Sequence, residues 1–301
     1  MFSNLYSTPN SVTYESSKSV LIKIDLTGKL LIITDKDGTL DNSHQTEAVH
    51  STPVRTINTL SSICRDSENF HSVAVISGRN LSTLLSLTGA VQDFWYFGSH
   101  GIEFHHPNEV SGRIDIPEDF IAKLDLCERI LCSGVSKNQI LSSNVKIERD
   151  LFKLNSWWSS ECAVKEGFLE LLSQAILESG INDYVEVLSG VTSRELLPRG
   201  AGKGYAVKTL IDIIKPDFIL CAGNDIPDLE MYKAVFNSGI AHVNLVIGSD
   251  ILFKQAIHFR SPDCLTELFL GLSAKIAHSM GCQERINSLE EASLNFPPKA
   301  S

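Results

Sequence analysis

No apolar run in this 301-residue chain approaches the ~18 residues needed to cross a bilayer. The stretch from Met1 to Ser17 also lacks the basic segment followed by an apolar one that marks a secretory leader. Positive charge is scarce and scattered: 26 Lys plus Arg stand against 36 Asp plus Glu, a formal net charge of −10. That balance leaves no electrostatic footprint for nucleic acid or an anionic membrane surface, so neither is expected as a partner. A small molecule fits better, and an anionic one would need a local positive site to overcome the overall field. The seven Cys are odd in number and include no CxxC pair. Several lie in apolar runs such as Ile219-Leu220-Cys221-Ala222, which reads as buried free thiols in a reducing compartment. The cytoplasm is the simplest location these absences leave. There is no internal repeat and no low-complexity block.

What is present is an ordinary globular composition, 43% hydrophobic and 21% charged, sufficient for a sizeable core. The length suggests two domains. Short apolar runs at Leu30 to Thr34, Val73 to Ile76, Phe94 to Phe97, Phe218 to Ala222 and Asn244 to Ile247 read as buried strands. Between them lie helical patterns. Val54, Ile57, Leu60, Ile63 and Cys64 recur at helical spacing after Pro53; Leu81, Leu84 and Leu85 repeat the pattern, as does the run from Tyr205 to Ile214. This alternation predicts βαβ units, a parallel sheet, and chemistry at the carboxyl ends of its strands. From about His105 to Leu197 the rhythm changes to helices at 118–134 and 161–179 with strands near 144–149, 184–188 and 193–197. That stretch reads as an α+β insertion. The expected organisation is an α/β core at 28–104 and 198–273, an inserted cap at 105–197, and loosely held tails at 1–27 and 274–301.

Asp35-Lys36-Asp37-Gly38-Thr39-Leu40 follows the strand ending at Thr34, so two carboxylates two residues apart emerge at a strand's carboxyl end on one side. One carboxylate can attack phosphorus to form an acyl phosphate; the other can protonate the leaving oxygen and then activate water. The bland alternative is an exposed Asp-Gly turn. Ser77, ending the second strand, can be a phosphate ligand or merely the N-cap of the helix through Leu85. Lys203 can bind phosphate or be solvated, and Gly223-Asn224-Asp225-Ile226-Pro227-Asp228 can be a metal loop or a turn. The stretch around Lys203 is not a P-loop, because Leu197 and Gly204 occupy positions that require Gly and Ser or Thr.

The first hexapeptide resembles the DxDGTL signature of haloacid dehalogenase-like phosphatases, and Ser77, Lys203 and the 223–228 loop fall in that family's order over roughly 30 to 270. The resemblance implies a Rossmann-like parallel-sheet core with an inserted α+β cap, and Mg²⁺ as cofactor. Asp35 is implied as nucleophile, Asp37 as acid and base, Ser77 and Lys203 as phosphate ligands, and the metal is assigned to Asp35, Asp37, Asn224, Asp225 and Asp228. Within the superfamily the chain is similar to trehalose-6-phosphate phosphatases in Ile76-Ser77-Gly78-Arg79, in Gly98-Ser99-His100-Gly101 and in Glu195 through Gly204. These segments, with Glu148 standing for the glutamate of the family's E-x-K cap signature, add Gly78, Arg79, His100, Glu148 and Glu195 as substrate-binding positions that the resemblance implies, the substrate being a small-molecule sugar phosphate. The family's first loop Asp is Asn224 here, its EVR arginine is Leu197, and Asp150 stands where the E-x-K lysine would. Asn can offer Mg²⁺ only a neutral oxygen, so weaker metal affinity is expected. A different reading that the departures favour is a catalytically weakened sugar-phosphate sensor, against which stands the intact Asp35/Asp37 pair. Association with a trehalose-phosphate synthase follows from the resemblance alone and has no feature of its own in the sequence.

Overall fold

The structure, a computed structural model, describes residues 6–7, 13–42, 51–65, 71–106, 111–159, 161–190, 192–248, 252–253 and 255–279. In chain order, β1 (Tyr6–Ser7) and α1 (Ser17–Lys23) precede β2 (Leu30–Thr34), α2 (Val54–Arg65), β3 (Ser72–Ile76), α3 (Leu81–Thr88), β4 (Phe94–Gly98), β5 (Glu103–His105) and β6 (Ser111–Arg113). There follow α4 (Phe120–Lys137), α5 (Gln139–Asn144), β7 (Val145–Asp150), β8 (Lys153–Trp158), α6 (Cys162–Glu178), β9 (Val185–Ser189) and β10 (Ser193–Pro198). The chain then runs through α7 (Lys203–Ile214), β11 (Phe218–Gly223), α8 (Leu229–Asn237), β12 (Ala241–Ile247), β13 (Leu252–Phe253), β14 (Ile257–Phe259) and α9 (Pro262–Ser279).

The main sheet has eight strands in the order β14-β12-β11-β2-β3-β4-β5-β6. Its first six strands pair in parallel and the last two add antiparallel. β2, Leu-Leu-Ile-Ile-Thr, is buried along its whole length because both faces of the sheet are covered. Leu30 and Ile32 pack with Leu60, Ile63, Leu268 and Phe269 on one side. Leu31 and Ile33 pack with Val207, Leu210, Met231 and Tyr232 on the other. A second sheet of four antiparallel strands, β7-β8-β10-β9, sits on α4 and α6 through its own core of Leu124, Leu131, Leu154, Phe168 and Leu196. No helix among the described residues is long and apolar enough to cross a membrane.

At the expected domain boundaries, three segments differ from the expectation. Residues 17–23, expected as part of a loose tail, form α1, which buries Val20 in the core against the helix near the C-terminus. That helix, α9, runs on to Ser279, past the expected boundary at 273. At the other junction, β5 and β6 extend the main sheet as far as Arg113, so His105 and Ser111–Arg113 pair with the core instead of opening the insertion. Their polar, half-exposed pattern hides a sheet edge from a search for apolar runs. Among the thiols, Cys127 and Cys221 are buried, as their apolar surroundings suggest, whereas Cys132 is exposed on α4.

Candidate active site

Four adjacent parallel strands, β11, β2, β3 and β4, end at the same rim of the main sheet. Asp35 follows β2, Ser77 follows β3, Ser99 follows β4 and Asn224 follows β11. A cavity of about 380 Å³ at this rim is lined from the core by Asp35, Asp37, Ser77, Gly78, Arg79, His100, Lys203, Asn224, Asp225 and Asp228. From the insertion it is lined by Glu148, Lys153, Asn155, Trp157 and Glu195. Every residue expected at the site from sequence thus borders one cavity.

Lys203 opens α7 and is buried; its Nζ donates to Asp35 Oδ1 and to Asp228 Oδ1, both at 2.6 Å. The solvated reading of this lysine is therefore excluded. Burial alone would depress the ammonium's pKa, but Asp228 and Asp35 drive it well above the ordinary lysine value. Asp35 shows the opposite balance: burial, aided by the charges of Asp228 and Asp37, pushes its carboxyl up to about 7 against the pull of Lys203. The 223–228 loop is a short 3₁₀ turn closed by a capping box between Asp225 and Asp228. Asp228 Oδ2 accepts the N–H groups of Asn224 (2.7 Å) and Asp225 (3.0 Å), which fixes the loop under Asp35.

Asp37 is held by two cations. Arg79 reaches it in a fork, Nε to Oδ2 at 2.7 Å and Nη2 to Oδ1 at 2.9 Å, and buried Lys36 donates to Oδ1 at 3.0 Å. Burial raises the Asp37 carboxyl, but these hydrogen bonds outweigh it and hold the group below the usual carboxylate range. Arg79, expected among the substrate ligands, thus engages the second carboxylate of the pair. Ser77 does not cap α3: Asn80 does, accepting from Thr83 N–H at 2.9 Å, while Ser77 Oγ accepts from Arg79 N–H at 3.2 Å.

The turn after β4 is backbone-strained, with Ser99 at φ 49° and His100 at φ 58°, values that cost non-glycine residues of order 1 kcal/mol. It brings His100 over Gly78, where an added Cβ would lie 2.7 Å from His100 Nε2. The ring meets Glu195 Oε2 at 2.9 Å, and Lys153 Nζ lies 3.6 Å from the same oxygen while donating to the Gly78 carbonyl at 2.5 Å. Insertion and core are thereby joined across the cavity. Burial raises the Glu195 carboxyl, but the charges of His100 and Lys153 bring it from 4.5 to about 2. Glu148 behaves otherwise, being half-exposed and paired with Lys146.

A folded-state pKa below the unfolded one stabilises the protein above the unfolded value and loses that contribution as pH falls through the folded value. Glu195→Gln is therefore expected to lower the unfolding temperature at pH 7, with the difference from wild type shrinking between about pH 4.5 and 2. A constant difference across a pH series of thermal melts would show that the carboxylate charge is not what holds this junction.

Sequence reasoning gave no role to Thr39, Lys36 or Asp41. Thr39 Oγ1 lies 2.8 Å from Asn224 Oδ1 and 3.3 Å from Asp35 Oδ2, linking two loops that are 185 residues apart. Lys36 and Asp41 form a buried pair at 2.6 Å beneath Asp37. Thr39 and Lys36 stand inside the hexapeptide itself, and a Lys flanked by two Asp at the end of an apolar strand was the available signal.

The strand order, the clustered loops at one rim and the inserted four-stranded unit define a haloacid dehalogenase-like fold. The family model described as Trehalose-phosphatase matches residues 33–251, and the chain belongs to that family. It is 29% identical over 208 residues to alpha,alpha-trehalose-phosphate synthase [UDP-forming] B of Dictyostelium discoideum, covering 67% of this chain and 25% of the relative. It is 25% identical over 256 residues to a trehalose-phosphatase of Schizosaccharomyces pombe, covering 82% of this chain and 29% of that protein. The chain therefore matches about a quarter of the length of these curated relatives. Among solved structures, the C-terminal domain of C. albicans trehalose-6-phosphate phosphatase superposes with a TM-score of 0.70 at 20% identity, over 88% of this chain and 99% of that one.

Proposed function

We propose that this chain is a magnesium-dependent phosphatase acting through an aspartyl-phosphate on Asp35, with trehalose 6-phosphate as its substrate and the cytoplasm as its site of action. The observation that carries the reading is the buried Asp35–Lys203–Asp228 array facing Asp37 across one cavity. A structural ion pair has no need of a second, cation-held carboxylate two residues away.

Residues that would hold Mg²⁺ supply hard oxygen donors: the Asp35 carboxylate, the Asp37 carbonyl, the Asn224 amide oxygen and a carboxylate from Asp225 or Asp228. Among the described residues no three His, Cys, Asp or Glu side chains form a ready metal cage. Mg²⁺ does not demand one, since it usually takes one or two carboxylates and keeps several waters. The donor set speaks for the fit, because Asp35, Asp37, Asn224, Asp225 and Asp228 all bring hard oxygens to the lining of one cavity. Bound there, the ion would neutralise phosphoryl charge.

The protein's own groups do the rest. Lys203 and Ser77 orient the phosphoryl oxygens, and an Asp35 oxygen attacks phosphorus as the bond to the sugar oxygen breaks. Asp37, ionised until the phosphoryl group competes for Arg79 and lets it take up a proton from solvent, gives that proton to the sugar oxygen, then takes one from the water that attacks the phosphorylated Asp35, whose carboxylate is restored as phosphate leaves. Polar groups from the insertion, Glu195, Lys153 and Asn155, face the space left for the sugar.

Phosphate release should be measured over a series of sugar phosphates, with and without Mg²⁺. The highest kcat/KM is expected for trehalose 6-phosphate; robust activity on another sugar phosphate beside none on this one would replace the substrate and leave the chemistry standing. A synthase partner belongs to the same reading and is tested by co-purification.

Asn224 favours a second reading, a weakened enzyme that mainly senses sugar phosphate. Asn224 Oδ1 already accepts from Thr39, and only a neutral oxygen is on offer there. Asn224→Asp is expected to lower the Mg²⁺ concentration for half-maximal activity, read by magnesium titration of both proteins. An unchanged midpoint with a fully active wild type would place Asn224 outside the coordination sphere and remove the ground for the sensor reading.

A further inference from the structure

The helix that presents Lys203 begins without a cap of its own. Gly202 precedes it, and no side chain there accepts the first-turn N–H groups, although such groups need partners when buried. The acceptor comes from the neighbouring helix. Glu230, in the first turn of α8, brings its carboxylate to the Gly202–Gly204 turn, where burial raises its pKa and the Gly204 N–H opposes the rise.

This contact is built into the backbone. Gly202 sits at φ +134°, and a Cβ there would lie 2.6 Å from Glu230 Oε2; one on Gly204 would lie 3.0 Å from the Glu230 carbonyl oxygen. Glycine at both positions lets α8 press against the turn. Glu230 is two residues beyond Asp228, whose Oδ1 holds the Lys203 ammonium at 2.6 Å. One short segment therefore grips Lys203 at both ends, its tip through Asp228 and the root of its helix through Glu230.

Glu230 does not line the substrate cavity. It lines a separate one of about 350 Å³ on the other side of the turn, together with Tyr205, Lys208 and Lys233. Any influence on the reaction must pass through the turn it holds.

We infer that Glu230 is a positioning residue that anchors the N-terminal turn of α7 and so sets Lys203 against the phosphoryl group. The inference rests on the phosphatase reading above. A carboxylate at this end also meets the positive pole of the helix.

The test uses the full chain, p-nitrophenyl phosphate as substrate and inorganic phosphate as the ligand of Lys203. Glu230→Ala is expected to lower kcat by about 10- to 10²-fold, the range that follows from a slight misplacement of a catalytic group, and to weaken inhibition by phosphate. Glu230→Gln keeps an oxygen acceptor and should recover most of both. Glu230→Asp keeps the charge but withdraws it by one methylene; it should resemble Ala, and it serves as the test should the Ala protein not fold. Phosphate binding measured by calorimetry then closes a double-mutant cycle: in a Lys203→Ala background Glu230→Ala should add no further loss. Additive losses, or a Gln variant as impaired as Ala and Asp, would overturn the positioning role. If Lys203→Ala alone leaves phosphate binding unchanged, the phosphatase reading of the cavity is what fails.

Discussion

Asp35→Asn is expected to abolish phosphate release while leaving the protein folded and no less thermally stable than wild type. The loss of turnover follows from covalent catalysis: an amide cannot attack phosphorus, and Asp37, the other carboxylate at the end of β2, is engaged by Arg79 and Lys36. The stability is the less obvious half. Removing one partner of a buried ion pair ordinarily costs about 3–5 kcal/mol, because the remaining charge is stranded. Here Lys203 keeps Asp228 Oδ1 at 2.6 Å when Asp35 loses its charge. The Asp35 carboxyl also lies above its ordinary pKa because burial, Asp228 and Asp37 oppose its ionisation more than Lys203 favours it. The neutral isostere relieves that opposition. Carboxylate charge kept at a destabilising position is what a group retained for reaction looks like. Activity and thermal melting of the metal-free protein decide the matter together. Phosphate release within tenfold of wild type would rule out the nucleophile, and a large drop in unfolding temperature would assign Asp35 to structure.

The frame of this site was legible because its parts are local. A run such as Leu30 to Thr34 buried on both faces can only be a central strand, and the residues after its last position land at the sheet rim. The pairings across that rim were not legible. Arg79 is 42 residues from Asp37, and nothing in the Ser77-Gly78-Arg79 string tells whether its guanidinium turns to a phosphate or to a carboxylate. Ser77 was an equally good helix cap on paper; the cap went to Asn80, three residues closer to the helix. The edge strands at 103–105 and 111–113 escaped because an edge with half-exposed polar residues has no apolar signature. The left-handed turn at Ser99 and His100 escaped too, since only the packing of Gly78 and Glu195 against the His100 ring shows what the strain secures.

Asp37→Asn is expected to slow steady-state turnover of a sugar phosphate by about 10²–10⁴-fold, the range for loss of a general acid–base group. The partners of Asp37 make the pattern more specific than the magnitude. Arg79 and Lys36 hold it ionised in the resting protein. It is thus ready as the base that deprotonates water, and it serves as an acid only once an anionic phosphoryl group competes for Arg79. A sugar leaves as a poor alkoxide and needs that proton; p-nitrophenolate does not. With p-nitrophenyl phosphate the variant should therefore still phosphorylate Asp35, releasing one equivalent of nitrophenol per site in a rapid burst, and then stall because no base activates water. With a sugar phosphate no burst should appear, as the first step is slowed as well. Rapid-mixing kinetics on both substrates separate the outcomes. A burst of equal rate and size for the sugar phosphate would mean that another group protonates the leaving oxygen. Arg79→Gln supplies the complementary check, since releasing the fork should favour the acid over the base: the first turnover on sugar phosphate should be spared relative to hydrolysis of the phosphorylated protein. The reverse order would return Arg79 to the role of a phosphate ligand.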